Sequence, residues 1–261
     1  MRLLAALLCA LAFCTPAAHA ERFSLEFRGA AFGVLPLGET HLDIDVRDDA
    51  YTILARMRSA GLLALFERTR LTATAEGVIG ADGVAWRRYE LDHHYSRKHR
   101  AVLMRRLDAS VEAAITPNYV VWGEPPTNEA QRLASRDPLS SLVAMGVDAA
   151  RTRACAGDYL TFDGRFHYRL EVRGGEVRRV DDFGYDGPAL RCRLRYVPVA
   201  GFEPSDNGRR VRIPEGEIWF ALIEGSNFAP PVRASAPLPI GRAGLQLIRM
   251  TRPDVRLEDG A

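Results

Sequence analysis

The sequence predicts a mainly β protein, in which an antiparallel sheet curves into a partial, open barrel with one short helix. Three observations support this fold class. Stretches of alternating apolar and polar residues recur roughly every eight to fourteen residues. Residues that favour tight turns, namely Gly, Asp, Asn and Pro, separate these stretches. One segment in the middle of the chain has the apolar spacing and the end signals of a helix.

The alternation is clearest in three stretches. In residues 42–46 apolar side chains alternate with two aspartates, so one face of the strand is expected to be buried and the other solvated. Residues 166–172 alternate apolar side chains with His167, Arg169 and Glu171 in the same way, and residues 191–196 alternate apolar side chains with arginines. Residues 218–223 are apolar on both faces, and such a strand needs cover on both sides.

Turn-forming residues predict three hairpins between these strands. Residues 80–83, 174–175 and 206–208 contain Gly, Asp and Asn residues, which tolerate a positive φ angle. We expect the chain to reverse direction at each of them.

One helix is predicted from about Pro138 to Met145. Asp137 is suited to cap its first turn, Pro138 to occupy the first helical position and Gly146 to end it. Its apolar stripe is formed by Leu139, Leu142 and Val143. A weaker helical turn is expected over residues 129–134, and the helix itself is expected against the concave side of the sheet.

The first twenty residues have the parts of a secretory signal peptide. Arg2 precedes an apolar run from Leu3 to Phe13, and Ala18-His19-Ala20 offers small residues at both positions that signal peptidase recognises. The run is too short to span a bilayer as a helix, which needs about 20 residues. We expect cleavage after Ala20, a periplasmic protein without a stable transmembrane segment, and a single β-rich domain over residues 21–261.

Export leaves two cysteines, Cys155 and Cys192, in an oxidising compartment. An even pair there is typical of a disulfide bond, and neither a Cys-x-x-Cys redox motif nor a metal-ligand spacing occurs. We expect a stabilising Cys155–Cys192 disulfide. The alternative of a lipid anchor on Cys14 is disfavoured, because Phe13 is bulky where such processing needs a small residue.

The charge balance gives no reason to expect a nucleic-acid partner, since 35 basic residues face 33 acidic ones. Two ladders of alternating arginines remain as candidates for binding anionic head groups. Their members are Arg165, Arg169 and Arg173, and Arg191, Arg193 and Arg195. The sequence favours a solvated face paired with acids, but adjacent ladders without acids between them would favour a binding patch.

No local motif for catalysis or cofactor binding occurs. The chain lacks Gly-x-Ser-x-Gly, Ser-x-x-Lys, His-Glu-x-x-His and the glycine-rich phosphate loops. We expect no catalytic residues, no cofactor and no metal site. His93 and His94, with His99 nearby, point to opposite faces of a strand, while His41 and Asp43 suit a solvated face. A triad assembled in space leaves no local motif, so an envelope hydrolase is the alternative function.

The order and spacing of several short motifs resemble a family of exported bacterial proteins known as domain of unknown function 3108. The motifs are Phe32-Gly33, Leu37-Gly38, Tyr51-Thr52-Ile53, Gly61-Leu62-Leu63, Asp137-Pro138-Leu139, Phe162-Asp163-Gly164-Arg165, Cys192, Tyr196-Val197-Pro198, Gly201-Phe202, Ile218-Trp219 and Pro231-Val232-Arg233. The resemblance covers nearly the whole chain after the signal peptide. It implies an exported, mostly β protein and assigns no catalytic residue.

These observations predict a non-catalytic envelope protein of uncharacterised role. One eight-residue helix shields only part of a sheet this long, so some apolar surface is expected to remain open. We predict a concave groove that binds an apolar or lipid-like ligand, and an envelope component is the other expected partner. The predicted groove residues are Trp219, Phe220, Leu139 and Leu142. The sequence does not indicate the oligomeric state.

Overall fold

The computed structural model describes residues 20–61, 64, 68–182, 184–203, 213–237 and 241–252. Residues 1–19 of the expected signal peptide, residues 1–20, lie outside these ranges. The strands are β1 (Ala20–Ala31), β2 (Leu35–Arg47), β3 (Ala50–Ser59), β4 (Thr69–Gly80), β5 (Gly83–Tyr95), β6 (Lys98–Arg106), β7 (Val111–Thr116), β8 (Gly157–Phe162), β9 (His167–Asp182), β10 (Tyr185–Ala200), β11 (Gly216–Ala221), β12 (Pro231–Pro237) and β13 (Arg242–Thr251). The helices with described bounds are α1 (Glu129–Ala134) and α2 (Pro138–Thr152).

The thirteen described strands form one antiparallel sheet in the order β7-β6-β5-β4-β3-β2-β1-β13-β12-β11-β10-β9-β8. Strands β1–β7 and β8–β13 are two meanders, and β1 pairs with β13 in the middle, where Ala31 faces Ala243. Strands β7 and β8 form the edges, and no ladder joins them within the described ranges. The predicted open, curved β-sheet is therefore confirmed.

The segment between α1 and α2 contacts the edge strand β8 and also β5, the third strand from the other edge. The backbone N–H of Arg136 donates to the carbonyl of Leu160 in β8 at 2.8 Å. Trp86 Nε1 in β5 donates to the carbonyl of Ser135 at 2.7 Å. The chain that carries the helices is thus joined to both halves of the sheet, and this position holds α2 inside the curve of the sheet.

Helix α2 packs mainly against β3, β4, β5 and β8. Asp137 caps its N-terminus as predicted, accepting hydrogen bonds from the backbone N–H groups of the first turn. Tyr51 Oη in β3 donates to Ser140 Oγ at 2.6 Å, and the hydroxyls of Ser141 and Thr161 lie 2.8 Å apart. Both contacts are buried, and they tie the helix to β3 in the interior of the sheet and to the edge strand β8.

The predicted end of the helix at Gly146 is wrong. Helix α2 continues to Thr152 and ends at Arg153, which has a left-handed conformation with a φ angle of 51°. Gly146 instead permits close packing, because a Cβ atom there would lie 2.3 Å from the Phe228 ring. The backbone N–H of Ala229 also donates to the carbonyl of Gly146 at 3.1 Å. The expected turn at residues 129–134 is the short helix α1.

One of the three predicted hairpins is also wrong. The turn at residues 80–83 joins β4 to β5 as expected. Gly174 and Gly175 lie inside β9, where their positive φ angles accompany a register shift opposite Arg191 and Cys192. A β-bulge also needs such backbone conformations, and it bends the strand without reversing it. The prediction at residues 206–208 falls outside the described residues.

Candidate functional site

An apolar cavity opens at the end of the curved sheet where β1 and β3 end and β2 and β4 begin. Its volume is about 530 Å³. The side chains that define it are Met57, Leu170, Leu194, Tyr196, Ala234 and Leu245. We call this space the apolar cavity.

Strand pairing brings these distant residues onto one continuous surface. Leu245 lies opposite Ala234 across β13 and β12, and Leu170 lies opposite Tyr196 across β9 and β10. Because side chains alternate along a strand, Leu247 and Leu245 share a face, and Leu247 is fully buried. The cavity is therefore the open end of the same concave face that forms the core.

The position of α2 explains why this end stays open. The helix packs mainly on β3, β4, β5 and β8, whereas the cavity is lined by β1, β2 and β9–β13 and by only the last residues of β3 and the first residue of β4. A helix of 15 residues is about 22 Å long, which is short compared with the arc of thirteen strands. The remaining apolar surface of the concave face lines the cavity.

Exposed apolar side chains lie at the same end of the sheet as the opening. Val34 is 84% exposed at the tip of the β1–β2 hairpin, and Phe32, Met57 and Ile213 are each more than one-third exposed. The Phe32 ring packs over Gly241, where a Cβ atom would approach it to 2.5 Å. Single exposed apolar residues are ordinary, but Met57 and Ile213 line the cavity, and Phe32 and Val34 lie in the hairpin at the same end of the sheet. We call these four residues the apolar rim.

The charged residues that border the apolar cavity are paired. Arg58 donates to Glu39 on the neighbouring strand. Glu217 accepts a hydrogen bond from Arg191 at 2.5 Å. Neither pair leaves an uncompensated charge that would attract a polar ligand into the cavity, so its lining favours an apolar occupant.

The structure does not bring the four predicted groove residues around one cavity. Phe220 is 1% exposed and belongs to the core. Trp219 points to the opposite face of β11, where the guanidinium groups of Arg191 and Arg233 lie 5.6 and 5.1 Å from its ring centre. Leu139 and Leu142 on α2 are partly buried against the core, and none of the four lines the apolar cavity.

The inward pattern of the cavity residues was nevertheless visible in the sequence. Leu170, Leu194 and Tyr196 occupy apolar positions of strands whose alternate positions are polar or charged. The pattern did not show which strands are neighbours, and it did not show which part of the sheet the helix covers. Those facts depend on contacts between distant parts of the chain.

Arg169 and Arg173 lie on β9, next to the ladder of Arg191, Arg193 and Arg195 on β10, and acids stand between them. Arg165 precedes β9 and is buried, where it pairs with Glu203. Glu171 accepts hydrogen bonds from Arg195 and Arg169, and these bonds lower the pKa of its carboxyl below the ordinary value. Arg173 pairs with Asp158 on β8. This arrangement is the solvated, paired face that the sequence favoured over an anion-binding patch.

A histidine does approach a carboxylate and a hydroxyl on the outer face of the sheet. His41 Nε2 lies 2.9 Å from Asp43 Oδ1 and 3.3 Å from Ser24 Oγ, and the Ser24 hydroxyl donates to Asp43 at 2.9 Å. In a catalytic triad the histidine uses separate nitrogens for the acid and the nucleophile. Here one nitrogen faces both, so the geometry does not activate Ser24.

The carboxyl of Asp43 is held as an anion by its neighbours. Partial burial raises its pKa, but hydrogen bonds from Ser24, His41 and Arg56 outweigh this effect and lower the pKa below the ordinary value. The group is a paired surface carboxylate on the face that the sequence predicted to be solvated.

The predicted disulfide between Cys155 and Cys192 is present, with the two Cα atoms 5.6 Å apart. Both cysteines are almost fully buried. The bond joins the chain that follows α2 to the middle of β10, and so links the helix to the half of the sheet that lines the apolar cavity.

Comparison with solved structures supports the fold. A β-barrel-like protein of domain of unknown function DUF1849 from Brucella abortus superposes with a TM-score of 0.55 at 9% sequence identity, covering 90% of this chain and 98% of that one. A protein from Parabacteroides distasonis, provisionally assigned as a lipoprotein, gives a TM-score of 0.34 at 6% identity, covering 88% of this chain and 95% of that one. The first likeness shows the fold alone.

Comparison of sequences identifies the family. No curated protein matches the chain in sequence. No helix in the described part is long and apolar enough to cross a membrane. The sequence profile of the family described as protein of unknown function (DUF3108) matches residues 22–248, which is most of the chain. The chain therefore belongs to the DUF3108 family.

Proposed function

We propose that this chain is a non-catalytic protein of the bacterial cell envelope that binds an acyl chain in the apolar cavity. The observation that carries the proposal is a cavity of about 530 Å³ lined by apolar side chains on the concave face of the sheet. Sites for small molecules typically have volumes of about 300–1,000 Å³ and mostly apolar linings.

The hydrophobic effect supplies enough free energy for such binding. Each CH₂ group moved from water into an apolar site contributes about 0.8 kcal/mol. An acyl chain that buries roughly eight CH₂ groups would gain about 6 kcal/mol before the cost of immobilising it. The carboxylate or head group would remain at the apolar rim, in contact with water.

The proposed location is the periplasm. The signal-peptide pattern ahead of Glu21 and the buried Cys155–Cys192 disulfide both support it, because disulfides persist in oxidising compartments. Strand β1 begins at Ala20, next to the expected cleavage position. An apolar ligand in the envelope would come from lipids, lipoproteins or their precursors.

A displacement assay with cis-parinaric acid tests the binding proposal. The protein without its signal peptide should bind the probe with one site, and palmitate should displace it. Met57→Glu places a charge at the partly exposed mouth of the cavity and should weaken binding at least tenfold. Val177→Glu, on an exposed position outside the cavity lining, is the matched control and should bind as the wild type does. No binding, or equal loss in both variants, would refute the proposal.

The absence of catalysis is part of the proposal and is tested separately. Ser24, His41 and Asp43 form the contact that most resembles a hydrolase site, although one His41 nitrogen faces both partners. We expect no turnover of p-nitrophenyl esters of two to twelve carbons above the rate of heat-denatured protein. Turnover that Ser24→Ala abolishes would establish a hydrolase instead.

A further inference from the structure

We propose a site for a late first-row divalent metal ion, Zn²⁺ or Cu²⁺, on the β5–β6 hairpin, formed by Asp92, His94 and His99. The site lies on the outer face of the sheet and is independent of the apolar cavity. It differs from the sequence-based expectation, which considered His93 beside His94 and found them on opposite faces of one strand.

Hairpin register brings the three residues together. A two-residue turn at Ser96 and Arg97 joins the strands, and Ser96 has a φ angle of 54°. This turn places His94 directly opposite His99. Asp92 lies two residues before His94 and therefore on the same face. His93 points to the opposite face, where its ring packs against Tyr95 at a centroid distance of 4.6 Å.

The donor atoms already converge. His94 Nε2 lies 2.8 Å from Asp92 Oδ1, and His99 Nε2 lies 2.9 Å from Asp92 Oδ2. The two imidazole rings stack with their centroids 4.1 Å apart, and one donor atom from each of the three residues lies within 4.8 Å of the others. In a tetrahedral site with bonds of about 2.1 Å, neighbouring ligand atoms are about 3.4 Å apart. The two carboxylate–imidazole distances are about 0.5 Å shorter than this. The stacked imidazole rings would also tilt, so that both nitrogens face one ion, and exposed side chains are free to make such movements.

The donor set selects the metal. Two imidazole nitrogens and one carboxylate oxygen suit Zn²⁺ and Cu²⁺, whereas Ca²⁺ and Mg²⁺ prefer oxygen ligands. All three residues are about half exposed, so the ion can enter from solvent and keep at least one water molecule as a further ligand. A site with three protein ligands and one open position can exchange its metal ion with the solvent.

The positive charge of Arg70 disfavours binding of a cation at this site. Arg70 in β4 lies opposite His94 on the other side of β5. Its positive charge repels a cation, and this repulsion is screened by water and salt because the groups are exposed. Replacement of Arg70 by serine should therefore strengthen metal binding modestly, by about two- to fivefold, without supplying a new ligand.

Titration with Zn²⁺ against a chromophoric chelator, using protein without a histidine tag, tests the proposal. The wild type should bind one Zn²⁺ per chain. His99→Ala and Asp92→Asn should each weaken binding at least tenfold, and Ca²⁺ should not compete. His93→Ala is the control on the same hairpin, and His41→Ala is the control for an exposed His–Asp pair; neither should change the affinity.

Electron paramagnetic resonance of the Cu²⁺-loaded protein gives an independent signature. The wild-type spectrum should show coupling to two equivalent imidazole nitrogens, reduced to one in His99→Ala. Circular dichroism of each variant would show whether the hairpin substitutions disturb the fold. Binding that His93→Ala and His99→Ala weaken equally, or no stoichiometric binding at all, would overturn the proposal.

Discussion

The buried cap of α2 makes the stability of the protein depend on pH in a direction opposite to that of most carboxylates. Asp137 is fully buried and accepts hydrogen bonds of 2.9 Å from the N–H groups of Leu139 and Ser140. Burial raises its pKa from 3.8 to about 6, and these hydrogen bonds only partly oppose the shift. Asp137→Asn keeps a good N-cap residue and removes the titration.

The sign and size of the effect follow from the pKa difference. Between pH 4 and pH 6 the folded protein holds a proton on Asp137 that the unfolded chain releases. The stabilising contribution is therefore complete below about pH 4 and is lost as the pH rises through 6. A difference of about two pKa units corresponds to about 3 kcal/mol in the free energy of unfolding.

Urea denaturation of the wild type and of Asp137→Asn, followed by circular dichroism between pH 4 and pH 7, measures this contribution. The wild type should lose about 3 kcal/mol relative to the variant over that range. Asp137→Ala, which removes the cap, should be less stable than the Asn variant by about 1 kcal/mol at every pH. Parallel pH curves for wild type and Asp137→Asn would show that Asp137 titrates normally and would refute the reasoning.

Three further predictions concern the disulfide, the helix and processing. Replacing Cys155 and Cys192 together by alanine should lower the free energy of unfolding by about 4 kcal/mol, because the bond spans 37 residues; equal urea midpoints for the reduced and oxidised wild type would contradict this. Gly146→Ala should lower the melting temperature despite the better helix propensity of alanine, since overpacking against Phe228 costs about 1–3 kcal/mol; a higher melting temperature would show that the contact relaxes freely. Intact-mass measurement of periplasmic protein should show a chain that starts after Ala20, whereas a lipidated species starting at Cys14 would contradict cleavage there.

The period-two pattern predicted the strands because burial of one face of a sheet is a local property. It did not predict that β1 pairs with β13, since Ala31 and Ala243 are distant in sequence and no local signal specifies their pairing. Nor does a local pattern show that the Arg191 and Arg233 guanidinium groups lie over the Trp219 ring, outside the apolar cavity, and the ligand-binding role of Trp219 stays a prediction.

The sequence-based interpretation of two glycines was wrong because the fold requires them for packing and for a bulge, and not for a helix end or a turn. Gly146 resembles a helix end but lies within α2, because Phe228 and Ala229 approach the helix backbone there. Gly175 resembles a turn but forms a bulge in β9. By contrast, the pairing of His94 with His99 follows from a two-residue turn, and sequence analysis could have found it by considering the hairpin instead of a single strand.

Native mass spectrometry of the protein purified from the periplasm tests most directly whether the apolar cavity holds an acyl ligand. We predict that the wild type carries a passenger, released on denaturation, whose mass and fragments identify an acyl chain. Leu194→Trp, which fills the cavity from its inner wall, should fold and lack the passenger. A wild type without any passenger, together with palmitate and cis-parinaric acid binding equally to the wild type and to Leu194→Trp, would contradict the account.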